Sequence, residues 1–166
     1  LKEGNVITLD QAMHAMLLAS ANEAAYAIGE SVGVNAGHDY NWFIEQMNSR
    51  CKELGGENSN FANTNGLHDP NHYTCARDMA LIGRELFKHP EFFKIVQTLN
   101  YTIPKSKTVE KHEFYQKHKM LWPGNSNYYK YVVGGKTGFT SDALATLITM
   151  AKKGDTKLVC VVMRTH

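Results

Sequence analysis

The chain has 166 residues, with 18 Lys and Arg against 16 Asp and Glu, leaving a net charge of +2 at pH 7. That length predicts one domain, or two subdomains sharing a core. Hydrophobic residues at 43% and charged residues at 20% are ordinary globular usage, which excludes disorder and collagen-like repeats, and the balanced charge argues against a nucleic-acid or membrane-surface protein. The longest apolar run, around Leu158 to Met163, is far short of a membrane span. The amino end carries no basic-then-apolar leader, so a signal peptide is expected to have been removed or never present. Cys51, Cys75 and Cys160 include no C-x-x-C pair and predict no disulfide framework, which leaves the redox compartment open.

The first half reads as helical. Thr8-Leu9-Asp10-Gln11 resembles a capping box, and Met13, Met16 and Leu17 follow at helical spacing. A second amphipathic run starts near Asn22, with Gly29 and Gly33 marking a weakening end. A third runs from about Asp39 to Leu54, its stripe of Trp42, Phe43, Met47 and Leu54 interrupted by Arg50, and Gly55-Gly56 stops it. Glu57 to Thr74 is rich in Asn, Gly and His, with Asn65-Gly66 and Asp69-Pro70 as turn pairs. An irregular loop of that length in a compact domain is more often functional than idle. Thr74 is placed to cap a fourth helix with Met79, Ile82, Leu86 and Phe87 on one face, and Pro90 opens a short fifth through Phe93 and Val96.

After Leu99 the pattern changes. Asn100 to Ile103, Val109 to Tyr115, Val132-Val133, Ala143 to Met150 and Leu158 to Met163 read as strands, with Gly154-Asp155 as a hairpin turn between the last two. Helices first and antiparallel strands later predict an α+β layout: a helical subdomain over 1–98, then part of an antiparallel sheet over 99–166.

Two familiar motifs fail on spacing. Gly134-Gly135-Lys136-Thr137 lacks the earlier glycine of a phosphate-binding loop, since position 130 is Lys130, and no strand–loop–helix unit surrounds it. His112-Glu113 begins like a zinc-protease motif, but the next histidine is His118; Pro70 separates His68 from His72. The expectation is therefore no metal, with the histidines exposed or capping. The basic stretch Lys105 to Lys119, interleaved with Glu110 and Glu113, reads as a solvated hairpin. Ser20-Ala21-Asn22, at a break between helices, and Lys136-Thr137-Gly138, at the end of a strand-like run, remain. Taken singly, Ser20 or Asn22 is explained as a helix cap, and Lys-Thr-Gly as a chance triplet.

Together, in this order and setting, they resemble the D-alanyl-D-alanine carboxypeptidases, the low-molecular-mass penicillin-binding proteins. Leu1-Lys2-x-Gly4, Asn63-Thr64-Asn65-Gly66-Leu67, Ala76-Arg77-Asp78-Met79-Ala80, Leu121-Trp122 and Gly134 to Thr140 with Ala143 extend the likeness over essentially the whole chain. The resemblance implies a penicillin-binding/β-lactamase-like fold, with Ser-x-Asn on the helical subdomain facing Lys-Thr-Gly on an edge strand. It implies a serine enzyme that removes the terminal D-Ala of peptidoglycan stem peptides, is acylated by β-lactams, needs no cofactor and works outside the bacterial cytoplasmic membrane. By the resemblance, Ser20 carries protons to the leaving amine and Asn22 holds the substrate amide oxygen. Lys136 supplies positive potential, the Thr137 hydroxyl donates to the substrate carboxylate, and Gly138 and Phe139 complete the substrate strand, the Phe139 N–H being one oxyanion donor.

The family's nucleophile and general base, Ser-x-x-Lys, lie tens of residues ahead of Ser-x-Asn, and 19 residues precede Ser20 here. Both are thus expected outside this chain, which alone is expected to be inactive, with self-association through exposed sheet edges. Membrane attachment is expected only through a region beyond the carboxyl end. Ser49-Arg50-Cys51-Lys52 fits the spacing, but it follows Ser-x-Asn late in a helix and is read as a solvated coincidence. Cys51 and Cys160 are read as inert, Cys160 in a buried strand. A β-lactamase-like acyl-serine hydrolase and a non-catalytic peptidoglycan- or partner-binding module of the same fold are the alternatives.

Overall fold

A computed structural model describes residues 1–165; His166, the last residue of the expected sheet portion, lies outside the described residues. Five helices come first: α1 (Leu9–Ala19), α2 (Asn22–Asn35), α3 (Tyr40–Glu53), α4 (Ala76–Leu86) and α5 (Pro90–Val96). Five strands follow: β1 (Asn100–Ile103), β2 (His112–Tyr115), β3 (Val132–Thr140), β4 (Leu144–Lys153) and β5 (Thr156–Thr165). They form two antiparallel sheets, β1-β2 and β3-β4-β5, rather than one continuous sheet.

The helix starts follow capping chemistry. Thr8 accepts from the Gln11 N–H while the Gln11 side chain accepts from the Thr8 N–H, closing the expected box on α1. Asp39 accepts from the Trp42 N–H at the start of α3. Gly29 and Gly33 do not weaken α2. The helix runs on to Asn35, and both glycines are buried where neighbours press close, Gly29 against Thr64 and Gly33 against the Asp39 carbonyl. Thr74 is not a cap either: α4 starts from Cys75 without a side-chain cap, and the Thr74 hydroxyl lies 2.7 Å from Ser59 Oγ instead.

Burial places the core between the helices and one face of the three-stranded sheet. Ala12, Ala15 and Leu18 of α1 meet Ala24 and Ala25 of α2, while Val96 and Met150 close the junction with the strands. α4 packs on β4 and β5, with Gly83 against Ile148 and Val159, and α5 packs on β3. The β1-β2 hairpin is pinned to α1, where Tyr101 stacks on His14 at 3.8 Å and donates to Asp10 Oδ2 at 3.0 Å. Ladder bonding carries β3 past its apolar start, whereas the second strand is shorter than expected and leaves the buried Val109 outside it. Thus β3 extends to Thr140 and Lys-Thr-Gly lies inside it, while β2 begins only at His112. Cys160 is exposed rather than buried: the side of β5 carrying Leu158, Cys160 and Val162 faces away from the helices.

The 57–74 loop is ordered by side chains from α3 and α4. Asn48 exchanges two hydrogen bonds with the Phe61 backbone, at 2.8 and 2.7 Å. Asp78, fully buried, accepts from the Asn58 N–H at 2.7 Å and from Ser59 Oγ at 2.8 Å. Burial alone would raise its pKa, but these bonds, with Cys75 and Arg77 nearby, hold it below the usual aspartate value. The stability that Asp78 contributes is therefore present above its unfolded pKa of about 3.9 and lost as pH falls through the lower folded value. Asp78→Ala strands two donors and is expected to lower the melting temperature by roughly 3–10 °C at pH 7. Thermal denaturation of Asp78→Ala, with Asp78→Asn falling between it and the parent, checks this; an unchanged midpoint contradicts it.

Candidate functional site

α1 ends because Ser20 leaves the helix. Its backbone is left-handed, with φ 61° and ψ 42°, and its N–H still reaches the Ala15 carbonyl. A left-handed serine costs roughly 1 kcal/mol. Neither Ser20 nor Asn22 caps α2: the cap position is Ala21, without a side-chain hydrogen bond. The explanation of this triplet as a cap of the following helix is therefore excluded, and Ser20 is the C-cap of α1 instead. Asn22 is exposed on the first turn of α2, and its side chain has no hydrogen-bond partner among the described residues.

The Ser20 hydroxyl is used from across the molecule. Lys136 Nζ, on β3, donates to Ser20 Oγ at 2.7 Å and to the Thr137 carbonyl at 2.5 Å, joining residues 116 apart in sequence. Burial, with a further push from the Lys117 charge, lowers the Lys136 pKa to about 8. The ammonium is thus charged at neutral pH but close to releasing its proton. β3 is the edge strand of its sheet, so one row of its backbone groups is left for an extended ligand. Thr137 lines a cleft of about 410 Å³ with Lys117, His118, Met120, Asn127 and Leu147. At Gly138 a Cβ would stand 2.5 Å from Thr146 Oγ1, so the strand is bare there by necessity. Phe139 is 74% exposed, next along the strand.

Of the residues singled out from sequence, Ser20 and Lys136 are in contact. Thr137, Gly138 and Phe139 continue the same strand, and Asn22 stands two residues beyond Ser20. Ser49 and Lys52 are exposed on α3, as a solvated coincidence requires. The loop carrying Asn63 to Leu67 is tied to α3 by Tyr40, whose hydroxyl receives the Thr64 N–H at 3.1 Å, and His68 lies 3.8 Å from Asp142 in the β3–β4 turn. No group of three or more metal-ligating side chains gathers among the described residues.

Lys117 and His118 are the residues that sequence reasoning passed over. The solvated-hairpin expectation suits Lys105–Glu110 and Lys111–Glu113, which are exposed ion pairs, but it fails at Gln116 and His118, which are 4% and 1% exposed. The chain there turns under the sheet, and the same packing corrects the expectation of exposed histidines. The available signal was the adjoining Leu121-Trp122, an apolar pair that anchors the segment, with Leu121 buried.

The sequence profile of the D-alanyl-D-alanine carboxypeptidases matches residues 1–166. The chain belongs to that family. It is 32% identical over 166 residues to the D-alanyl-D-alanine carboxypeptidase DacF of Bacillus subtilis, covering 98% of this chain and 39% of that protein. It is also 32% identical to DacC of Escherichia coli, covering 98% and 38%. Among solved structures, the S216A mutant of the Streptomyces K15 DD-transpeptidase superposes with a TM-score of 0.86 at 26% identity, over 99% of this chain and 64% of that one. A penicillin-binding protein homologue from Mycobacterium tuberculosis gives 0.83 at 25% identity. The α+β, penicillin-binding/β-lactamase-like fold expected from the resemblance is therefore established, and the chain spans about two fifths of the curated relatives it matches.

A buried lysine with a lowered pKa makes a signed prediction. Between about 8 and the unfolded value of about 10.4, the unfolded chain binds more protons at this site, so its contribution to stability improves as pH rises. Lys136→Met lacks that dependence. Its stability advantage over the parent, or the smallness of its deficit, is expected to be greatest near pH 7 and to decline steadily to pH 10 in chemical denaturation. A difference that stays flat across this window contradicts the buried-ammonium assignment.

Proposed function

We propose that this chain is the part of a serine D-Ala-D-Ala carboxypeptidase that carries its proton-relay and carboxylate-binding residues. The observation that carries the reading is the 2.7 Å contact between Lys136 Nζ and Ser20 Oγ in a member of this family. The division into a helical part, 1–98, and a sheet part, 99–166, belongs to the same reading, since the contact is made across it. The nucleophile and its general base are taken to come from residues other than these 166, so this stretch alone is inactive.

The chemistry follows from the positions. A serine hydroxyl supplied beside Ser20 attacks the carbonyl of the penultimate D-Ala and forms an acyl-enzyme, and the terminal D-Ala amine leaves. The general base taken to lie upstream receives the nucleophile's proton and returns it to Ser20 Oγ, which accepts a hydrogen bond from the Lys136 ammonium and passes its own proton to the departing nitrogen. Asn22, unpartnered and exposed, donates to the amide oxygen of the substrate. The terminal carboxylate is drawn by Lys136 and receives the Thr137 hydroxyl, while the peptide lies along the bare strand at Gly138 and the Phe139 N–H donates to the oxyanion. Water then releases the stem peptide. β-Lactams acylate the same serine as mimics of D-Ala-D-Ala. The substrate places the enzyme on the outer side of the bacterial cytoplasmic membrane; among the described residues no helix is long and apolar enough to cross a membrane.

Intact-mass analysis of the protein with a penicillin, together with D-Ala release from a D-Ala-D-Ala peptide, tests the reading. A covalent adduct and D-Ala release are expected whenever the upstream Ser-x-x-Lys residues are present. Ser20→Ala, Asn22→Ala and Lys136→Ala should each slow acylation by roughly ten- to ten-thousand-fold. Near-normal acylation in all three variants would overturn the site assignment. Peptide binding without any adduct or release would make the protein a binding module instead.

A further inference from the structure

We propose that His118 is a positioning residue for Lys136: its ring sets the height of β3 at which the lysine ammonium meets the Ser20 hydroxyl. The inference rests on the reading of Lys136 given above and extends it to a side chain that touches neither Ser20 nor the ammonium.

The need for such a device follows from topology. β3 has a sheet neighbour on one edge only, β4, and it shifts register between Val132 and Gly134, just ahead of the site. An edge strand next to an irregularity has little of its own to fix its distance from a helix. Yet the Lys136–Ser20 contact needs placement to a fraction of an ångström, because misplacement by about 1 Å costs a proton-transfer site orders of magnitude in rate.

The two glycines before Lys136 show how the height is set. A Cβ at Gly134 would lie 2.7 Å from Val96 and 3.4 Å from Phe93, so α5 presses directly on the backbone from the helical side. A Cβ at Gly135 would meet the Ile148 carbonyl of β4 and would lie 2.5 Å from His118 Cδ2 and 2.7 Å from its Nε2, so the sheet backbone and the imidazole together close on it from the other side. The strand is thus gripped at consecutive residues from opposite faces, with no flexible side chain in either contact.

The ring is itself held. His118 Nε2 lies 2.9 Å from Thr149 Oγ1, and Thr149 is the register partner of Gly135. The His118 N–H donates to Gln116 Oε1 at 3.0 Å, and Gln116 Nε2 donates to the Val96 carbonyl at 2.6 Å. Trp122 Nε1 donates to the Gln116 carbonyl at 2.7 Å. One buried polar chain therefore ties the residue that presses Gly134, Val96, to the residue that presses Gly135. Burial lowers the His118 pKa, which keeps the ring neutral beside Lys117 and Lys119 of its own segment; Thr149 is the polar group facing it from β4. A neutral ring grips the strand without adding a third positive charge to the cleft.

NMR titration of the Lys136 side chain in the protein, assigned with Lys136→Arg, tests this in the parent, His118→Ala and Thr149→Val. The parent ammonium is expected to titrate near 8. Loosening the grip lets water reach it, so both variants are expected to titrate at about 9 or higher, toward the ordinary lysine value of about 10.4. Thr149→Val keeps its shape and removes only the ring's partner, so it decides the matter if His118→Ala does not fold. A folded Thr149→Val or His118→Ala whose Lys136 titrates as in the parent would overturn the proposal and leave His118 a packing residue. The acylation assay answers separately: a shifted titration with Lys136→Ala acylating normally would retain the positioning and discard the relay.

Discussion

The structure turns on placing one ammonium. Lys136 must reach a hydroxyl on a different element, 116 residues earlier in the chain, and must stay half-buried while doing so. Burying a lysine is unfavourable unless its charge finds oxygen acceptors. Here two are provided, Ser20 Oγ at the end of α1 and the Thr137 carbonyl on β3. Much of the surrounding architecture serves this meeting. α1 ends in a left-handed serine, α2 restarts two residues later, α4 and α5 hold the sheet against the helices, and the bare Gly134-Gly135 backbone lets packing come close.

The same arrangement explains why the cleft is polarised without being rigid everywhere. The strand ahead of Lys136 is gripped on both faces, through Val96 and His118, whereas Phe139, Leu67 and Asn22 are exposed. The 57–74 loop lies between these extremes. Its backbone groups are satisfied by Asn48, Tyr40 and Asp78, so an irregular segment is fixed without a ladder of its own.

What could be read in the sequence was whatever repeats or caps. Helical spacing and the Thr8–Gln11 box located α1, Pro90 located α5, and Gly154-Asp155 located the β4–β5 turn. Ser-x-Asn and Lys-Thr-Gly were legible only as a pair, because each alone is consistent with a cap or with chance. The misreadings have one physical origin. Thr74, Cys160 and His118 were judged by local chemistry, and each was decided by a distant partner: Ser59 takes the Thr74 hydroxyl, the side of β5 away from the helices exposes Cys160, and Thr149 with Gly135 buries His118. Local propensity carries no information about such partners, since they arise from tertiary packing.

The central claim is that Ser20 and Lys136 act as one unit, and a double-mutant cycle on penicillin acylation in the protein with its nucleophile tests it most directly. If the ammonium acts through the hydroxyl, Ser20→Ala with Lys136→Ala slows acylation little more than the worse single change, since the second substitution removes a partner already lost. If instead the two losses multiply to within experimental error, the 2.7 Å contact does not couple them in the reaction, and the account is wrong.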